Sequence, residues 1–349
     1  MKRTKTTEPL SSQVKKKSIK IAEKKKEFDG DQGTMVTTGS TLLDLAISGG
    51  RVRGGGIPAG ILVEIFGPSG AGKTVLLCEI AGGVQRMGGE IMFHDPEARL
   101  NKQFAQLFDL DTSQIDYETP DTIPEVFSRV RKWEPKGKKI NGIFADSLAA
   151  LSTNMEMDND DGDKMGMRRA KEFSEELRKT ARIITQKNLL MVCSNQVRIN
   201  VDAGPYGQKY VSPGGESIGF YSSLRLRANR AQKIHSKERI AGKEVKRVIG
   251  VETEIEVFKS SIWKPHRTAP ITIIFDYGID DIRANLQFIK NYTKNTTYMI
   301  GDEKLAVGMD DSITIVEEDG LEKKLKDEVI ELWEEIEEKF SSDRKPKKR

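Results

Sequence analysis

The chain has 349 residues, of which 37% are hydrophobic and 32% charged, and its formal net charge is +4. This composition predicts a globular protein with one large core and a smaller appendage. The apolar runs fall short of the roughly 18 residues of a membrane span, and the charged N-terminus lacks the apolar stretch of a secretory signal, so we expect no membrane partner. Cys78 and Cys193 lie in apolar runs, which favours buried free thiols and a cytoplasmic location.

The first 35 residues are rich in lysine. Residues 19–28 have the spacing of a short amphipathic helix, but its large apolar residues, Ile19, Ile21 and Phe28, are too few to bury themselves without a partner. A solvated tail and an arm that docks on another molecule are both open interpretations of this segment.

Residues 61–74 read ILVEIFGPSGAGKT, an apolar strand that leads into the pattern G-x-x-x-x-G-K-T. A preceding strand and a following helical pattern are the context that a phosphate-binding loop requires, whereas a plain glycine-rich turn does not need them. Backbone N–H groups and the helix N-terminus bind phosphate oxygens, the lysine reaches the outer phosphates, and the threonine hydroxyl holds Mg²⁺. The predicted site for a nucleoside triphosphate and Mg²⁺ comprises Gly67, Pro68, Ser69, Gly70, Ala71, Gly72, Lys73 and Thr74.

Strand and helix signals alternate from residue 35 to residue 194. Strands are predicted at 61–66, 91–93, 141–145 and 189–194, and helices at 74–87, 97–108, 123–132 and 167–187. This alternation predicts an α/β fold with a mostly parallel sheet that is covered on both faces. Further strands are predicted at 223–227, 252–258 and 271–275, and the period-two spacing of the last two is typical of antiparallel edge strands. Apolar residues at steps of three and four then predict an amphipathic helix between residues 321 and 340.

Polar residues follow three of the predicted strands. Asp146 ends an apolar strand about 70 residues after the phosphate loop, where it can orient Mg²⁺ through water. Asp95 and Glu97 follow the strand after the loop helix, and either can orient the water that attacks the γ-phosphate; a glutamate there also suits a helix N-terminus. Gln196 ends the next strand, where open α/β sheets bind ligands, and its amide can sense a γ-phosphate. We interpret the neighbouring His94 as structural.

Two stretches, residues 154–164 and 197–215, have no apolar period. The length of the second favours a functional or disordered loop, and a mobile surface loop is the alternative. The second stretch mixes basic and aromatic residues, which suit a nucleic-acid backbone and its bases. The aspartates of the first stretch do not match a calcium-binding loop, because Asp163 stands where such a loop needs glycine.

Seven short segments together resemble the RecA family of homologous recombinases of bacteria and their phages. They lie in family order and at near-family spacing across residues 36–280. They are Thr38-Gly39-Ser40-Thr41-Leu42-Leu43-Asp44, the phosphate loop 67–74, Asp95-Pro96-Glu97-Ala98, Asp146-Ser147-Leu148-Ala149-Ala150-Leu151, Asn195-Gln196-Val197-Arg198, Gly214-Gly215 with Phe220-Tyr221, and Tyr277-Gly278.

The resemblance implies roles for individual residues. It makes Glu97 the catalytic base, beside Lys73, and Gln196 the residue that couples ATP to DNA binding. The cofactor would be ATP with Mg²⁺, held by the phosphate loop, Phe104, Asp146, Lys259 and Tyr277, with Thr74 and Asp146 at the metal. The two loops would bind DNA through Arg168, Arg169, Arg178, Arg198, Tyr206, Lys209, Tyr210, Gly214 and Gly215, and which of the first three arginines contacts DNA is open. Ser261 departs from the family pattern, which often has a second interface lysine there; Lys264 or Arg267 could replace it.

The resemblance also implies three parts: a polymerisation arm at 1–35, a RecA-like ATPase and DNA-binding core at 36–280, and a small α+β C-terminal domain at 281–349 with a basic tail. The expected assembly is a homo-oligomeric helical filament on single-stranded DNA, which exchanges strands with homologous double-stranded DNA and hydrolyses ATP between protomers. A hexameric helicase or another DNA-dependent ATPase motor with this core is the first alternative. A mediator that binds ATP without hydrolysing it is the second.

Overall fold

The computed structural model describes residues 34–100, 102–108, 110–137, 140–154, 156, 165–199, 210–211, 216–229, 231–293, 295–342 and 344. The chain divides into two compact units, Met1–Gly33 and Thr34–Arg349. The predicted arm therefore lies almost wholly outside the described residues, as do most of the loop 197–215 and the tail 345–349. Within the described ranges, none of the helices has the length and apolar character that a bilayer crossing needs.

The described strands and helices are numbered here in chain order. The strands are β1 (Met35–Val36), β2 (Ile57–Pro58), β3 (Ile61–Gly67), β4 (Ile91–His94), β5 (Ile115–Glu118), β6 (Asn141–Ala145), β7 (Leu189–Gln196), β8 (Arg198–Ile199), β9 (Tyr210–Val211), β10 (Leu224–Ala228), β11 (Gln232–Ile240), β12 (Lys243–Ser260), β13 (Thr268–Ile274), β14 (Gly278–Ile279), β15 (Met299–Ile300) and β16 (Glu303–Lys304). The helices are α1 (Thr41–Ser48), α2 (Lys73–Arg86), α3 (Lys102–Gln106), α4 (Ile123–Lys132), α5 (Met165–Gln186), α6 (Glu216–Tyr221), α7 (Asp281–Tyr292), α8 (Met309–Glu318) and α9 (Glu322–Lys339).

In the described part of the chain, a ten-stranded sheet runs in the order β14-β13-β12-β10-β3-β7-β6-β4-β5, with β11 also paired to β12. Every neighbouring pair in the run β10-β3-β7-β6-β4-β5 is parallel. The pairs β10–β12, β11–β12, β12–β13 and β13–β14 are antiparallel. The carboxyl ends of parallel strands meet at one edge, where open α/β sheets bind their ligands. The residues that follow β3, β4, β6 and β7 therefore converge there.

Both faces of the sheet are covered by helices. Alternate residues of β3 join different cores: Leu62 packs with α4 and α5, while Val63 and Ile65 pack with α1 and α2. Phe127 of α4 meets Phe173 of α5 edge to face, with ring centroids 6.3 Å apart. This arrangement confirms the predicted α/β fold with a mostly parallel, doubly covered sheet.

The C-terminal segment shares the first of these cores. Leu325 and Val329 of α9 are buried in it, which confirms the predicted amphipathic helix. Asp281 of α7 accepts hydrogen bonds from the backbone N–H and hydroxyl of Thr41, at 2.8 and 2.7 Å. The prediction of a separate domain beginning at residue 281 stays a prediction.

Two local expectations differ from the structure. The helix predicted at 97–108 is wrong in extent, because α3 spans only Lys102–Gln106. Asp95 accepts from the N–H of Leu100 (2.7 Å), and Ala98 has a left-handed φ of 48°, so the chain turns before the helix begins. The sequence analysis also missed β11 and the first half of β12, since their charged residues follow no simple apolar alternation.

Candidate active site

The phosphate loop lies between the end of β3 and the start of α2. Gly70 and Gly72 have left-handed φ values of 74° and 79°. A Cβ on Gly72 would stand 2.3 Å from the Cδ1 of Ile273 in β13, so both conformation and space require glycine there. The loop's glycines thus let the backbone approach a phosphate and let β13 pack against the loop.

Lys73 is the first residue of α2, and its side chain is buried beside the loop. Its Nζ donates to the carbonyl oxygens of Gly67 (3.1 Å) and Pro68 (2.7 Å), so it follows the loop backbone. Burial lowers the pKa of Lys73, while the nearby Asp146 and Glu97 carboxylates act in the opposite direction. A cation held in this way at the loop is placed to bind phosphate oxygens.

Thr74 and Asp146 are in direct contact. The Thr74 hydroxyl donates to Asp146 Oδ2 at 2.6 Å, and the Ser194 hydroxyl donates to Asp146 Oδ1. The peptide bond between Asp146 and Ser147 is cis. Hydroxyl and carboxylate oxygens are the hard ligands that Mg²⁺ prefers, and Mg²⁺ usually takes only one or two protein carboxylates besides phosphate and water. Among the described residues, no group of three or more His, Cys, Asp or Glu side chains is arranged to hold a metal ion.

The structure separates the two carboxylates that the sequence left as alternatives. Asp95 is buried and accepts from the Tyr117 hydroxyl (2.9 Å) as well as from Leu100, so it organises the turn. The Glu97 side chain keeps 20% exposure and pairs with the exposed Arg99 at 2.6 Å. This geometry favours Glu97 as the carboxylate available to a water molecule.

His94 has the structural environment that the sequence analysis expected. The ring is buried at the end of β4, and burial, with a smaller effect of Arg129, lowers the pKa of His94 to about 4. The imidazole is therefore neutral near pH 7.

Gln196 lies beside the phosphate loop. It is paired with Gly67 in the parallel β3–β7 register, and the N–H of the next residue, Val197, bonds to the Gly67 carbonyl at 3.4 Å. The short hairpin β8–β9 begins directly afterwards. The start of the second loop is thus joined by backbone contacts to the first residue of the phosphate loop.

A buried charged group near the carboxyl edge of the sheet was not predicted from the sequence. Glu64, fully buried in β3, accepts from the side-chain amide of Asn195 (3.0 Å) and from Nε of Arg225 (2.6 Å). The Arg225 guanidinium lies over the Phe66 ring, 4.5 Å from its centroid. The signal in the sequence was a single glutamate inside an apolar strand, because such a charge needs a partner when buried.

Phe104 and Tyr277 lie in two segments that adjoin each other beside α2. Phe104 packs edge to face on Phe108 at 5.0 Å, and Tyr277 is 52% exposed in the turn before β14. A Cβ on Gly278 would be 3.5 Å from the Phe108 ring, so the two segments adjoin. Glu79 of α2 accepts from the N–H of Ile279 and ties the turn to the helix.

The predicted interface cations already have intramolecular partners. Lys259 Nζ donates to the carbonyls of Gly219 (2.8 Å) and Phe220 (3.1 Å), and burial lowers its pKa. Arg267 makes two bonds to Glu337, at 2.6 and 2.9 Å, and Lys264 contacts the same carboxylate at 3.3 Å. Both candidates for replacing the lysine absent at position 261 are thus already paired with Glu337.

The predicted DNA contacts divide into three groups. Arg168 and Arg178 are exposed on α5, whereas Arg169 donates to the backbone carbonyls of Ala149 (3.4 Å) and Leu151 and so supports the chain after β6. Arg198 and Tyr210 lie in the paired strands β8 and β9. The remaining residues lie outside the described ranges: Tyr206, Lys209, Gly214 and Gly215.

Comparison with known proteins agrees with this fold and these motifs. A family model of the RecA N-terminal domain matches residues 6–280. Protein RecA of Anaplasma marginale (strain Florida) is 30% identical over 296 residues, which cover 83% of this chain and 77% of that protein. Protein RecA of Acholeplasma laidlawii (strain PG-8A) is 29% identical over 303 residues, covering 83% and 86%.

A solved structure extends the comparison to the fold. A crystal structure of the RadB recombinase has a TM-score of 0.50 and 19% identity, and the match covers 70% of this chain and 98% of that chain. At this identity the match shows the fold alone. Since the family model spans well over half of the residues, with similar relatives over most of the length, the chain belongs to the RecA family of recombinases.

Proposed function

We propose that this recombinase is a DNA-dependent ATPase that forms a helical filament on single-stranded DNA and exchanges strands with homologous double-stranded DNA. The observation that carries the proposal is the pairing of Gly67 with Gln196. It places the first residue of the phosphate loop beside the residue that begins the second loop. A change at the γ-phosphate can therefore reach a DNA-binding segment across one pair of hydrogen-bonded strands.

The residues at the carboxyl edge suit ATP hydrolysis. The phosphate loop and Lys73 bind the phosphate oxygens, and Thr74 with Asp146 would hold Mg²⁺, which neutralises charge on those oxygens when bound. Glu97 accepts a hydrogen bond from the attacking water and orients it. Phe104 and Tyr277 offer aromatic surfaces beside α2, where they would pack against the adenine.

ATP and DNA are coupled by linkage in this proposal. If Gln196 contacts the γ-phosphate only when the second loop is in its DNA-binding arrangement, ATP raises the affinity for DNA and DNA raises the affinity for ATP. The exposed Tyr277 and Phe275 leave one side of the nucleotide site open to a second subunit, and Lys259 would act across that junction. The arm at 1–35 would join neighbouring subunits, and the free, buried Cys78 and Cys193 suit the proposed cytoplasmic location.

The first test measures phosphate release with and without single-stranded DNA. We expect DNA to stimulate hydrolysis strongly and Lys73→Ala to abolish it, while the exposed-surface control Lys132→Ala keeps wild-type turnover. Hydrolysis at the full rate without DNA, or the absence of hydrolysis by the wild-type protein, would contradict the proposal.

The second test examines coupling through Gln196→Ala. This variant should bind ATP with little change but lose DNA stimulation, because the contact between the γ-phosphate and the second loop is removed. Gln186→Ala, an exposed glutamine at the end of α5, is the matched control. Unchanged stimulation in Gln196→Ala would remove this residue from the coupling role.

The third test is electron microscopy with single-stranded DNA and a non-hydrolysable ATP analogue. An open helical filament is expected. Closed rings would favour the hexameric helicase instead, and a monomer under these conditions would contradict assembly through the nucleotide site.

A further inference from the structure

β11 and the first half of β12 form a two-stranded projection, residues 231–249, which we call the basic ribbon. β12 pairs with β13 only from Gly250 onward, so among the described residues the ribbon part of β12 pairs with β11 alone. Its side chains are exposed or half-buried on both faces. The ribbon is therefore not an element that the hydrophobic core needs.

The ribbon leaves the sheet at the edge that carries the nucleotide site. Ala228, the last residue of β10, pairs with Ile255, and Gln232 of β11 pairs with Glu252 farther along the same strand. β11 thus runs in the same direction as β10, and β10 is parallel to β3. β11 therefore extends past the edge of the sheet at which the parallel strands end. A Cβ on Gly67 would be 2.3 Å from the Ala228 carbonyl, so the base of the ribbon adjoins the phosphate loop.

The ribbon carries a high positive charge for its length. Its acidic residues are Glu238 and Glu244, and its basic residues are Lys233, Lys237, Arg239, Lys243, Lys246 and Arg247. The formal net charge of the ribbon is therefore +4. Local concentration of positive charge is the electrostatic footprint of a polyanion-binding surface.

The strand register places like charges together at one position of the ribbon, while at another it sets Arg239 opposite Glu244. Lys237 lies directly opposite Lys246, an arrangement that destabilises a strand pair, and the ion pair of Lys237 with Glu244 (2.9 Å) offsets it only in part. An opposite charge in place of Lys237 or Lys246 would stabilise the strand pair more. Bound anions would remove the repulsion.

We propose that the basic ribbon binds the phosphate backbone of double-stranded DNA, as a contact separate from the nucleotide site and the two loops. The paired segment from His235 to Ile240 is about 20 Å long at about 3.4 Å per residue. A two-stranded ribbon of this kind fits the major groove of B-form DNA. Lysine and arginine on both faces bind phosphates on both sides of the groove without reading sequence. The inference rests on the proposed function, which makes duplex DNA a partner.

The test compares two full-length variants that each lose three positive charges. The ribbon variant carries Lys243→Gln, Lys246→Gln and Arg247→Gln, and the matched control carries Lys132→Gln, Lys304→Gln and Lys323→Gln at exposed positions elsewhere. Binding of a fluorescent 30-base-pair duplex is measured over a range of salt concentrations. The ribbon variant should bind at least about tenfold more weakly, and its slope of log affinity against log salt should fall by about 2 to 3, since each lost phosphate contact removes about 0.9. The control should stay near wild type.

Hydrolysis stimulated by single-stranded DNA is measured in parallel and should be unchanged in the ribbon variant. Equal duplex affinity and salt slope in the two variants would overturn the ribbon proposal. A change in oligomeric state with unchanged duplex affinity would assign the ribbon to contacts between copies of this chain and would also overturn it. If the wild-type protein shows no DNA-stimulated hydrolysis, the proposed function fails, while the duplex comparison still decides the role of the ribbon.

Discussion

The proposed nucleotide site and the basic ribbon lie at the same edge of the sheet but depend on different physical forces. In the site, Lys73, Asp95 and Glu64 are buried, and each has a specific hydrogen-bond partner. In the ribbon, charged side chains are exposed and one described ion pair, Lys237–Glu244, joins side chains that are 59% and 62% exposed. Single substitutions should therefore have large effects in the site and small effects in the ribbon, where the total charge matters.

The largest effect is expected for Asp146→Asn. The amide cannot replace the carboxylate that accepts from Thr74 and would hold Mg²⁺, so several kcal/mol of transition-state stabilisation should be lost, on the order of 10³-fold in hydrolysis rate. Phosphate release measures the rate, and circular dichroism checks that the fold is retained. Asp121→Asn, an exposed aspartate, should hydrolyse ATP normally. A rate within tenfold of wild type would contradict the metal-binding role of Asp146.

The next largest effect is expected on the free energy of unfolding, from the ion pair between the buried Glu64 and Arg225. Arg225→Met leaves the Glu64 carboxylate buried without its charged partner, and removing one member of such a pair destabilises by about 3–5 kcal/mol. Urea unfolding at pH 7 measures the loss. The double substitution Glu64→Gln with Arg225→Met should recover part of it, because no uncompensated charge remains. A double variant less stable than the single one would refute this account.

A third effect depends on pH and on Asp44. Burial raises the pKa of Asp44 to about 6, against the smaller effects of hydrogen bonds from Thr37 (2.5 Å) and Thr38 (2.7 and 2.8 Å). Because the folded protein binds this proton more tightly than the unfolded chain, the contribution is fully present below about pH 4 and is lost as the pH rises through about 6. The free energy of unfolding of wild type minus that of Asp44→Asn should fall by about 3 kcal/mol over this range.

Unfolding at intervals between pH 4 and pH 7.5 provides the measurement. His94 acts in the opposite direction, since its lowered pKa costs stability as the pH falls below about 6.5, but it is common to both proteins and cancels from the difference. A difference that does not vary with pH would show that Asp44 ionises as it does in the unfolded chain.

The smallest effect on stability is expected within the ribbon. Glu244→Gln breaks the exposed ion pair with Lys237 and should change the free energy of unfolding by less than about 0.5 kcal/mol. The same substitution makes the ribbon more positive, so duplex DNA should bind more tightly and with a steeper salt dependence. Weaker duplex binding by Glu244→Gln would contradict the electrostatic account of the ribbon.

Buried elements were predicted from the sequence more closely than exposed ones. The strand predicted at 141–145 is β6, and the strand predicted at 61–66 is β3 with one residue added. In both, a continuous apolar run has no stable alternative to burial in the sheet. The ribbon strands carry no such run, because a strand exposed on both faces needs no apolar period. Their pairing depends on the extension of β12 out of the sheet, which local patterns do not encode.

By itself, the sequence determined the phosphate loop, the doubly covered α/β sheet and the family, because these depend on short patterns of neighbouring residues and on their order. Only the tertiary structure decided that Asp95 organises a turn while Glu97 stays available, that Arg169 supports the backbone after β6, and that Gln196 adjoins Gly67. Gln196 and Gly67 are distant in the chain, and the contacts of Asp95, Glu97 and Arg169 depend on how the folded backbone turns, which short patterns do not encode. The same carboxylate or guanidinium can serve in a functional site or in a structural contact. Its surroundings in the folded protein determine which of these two roles it has.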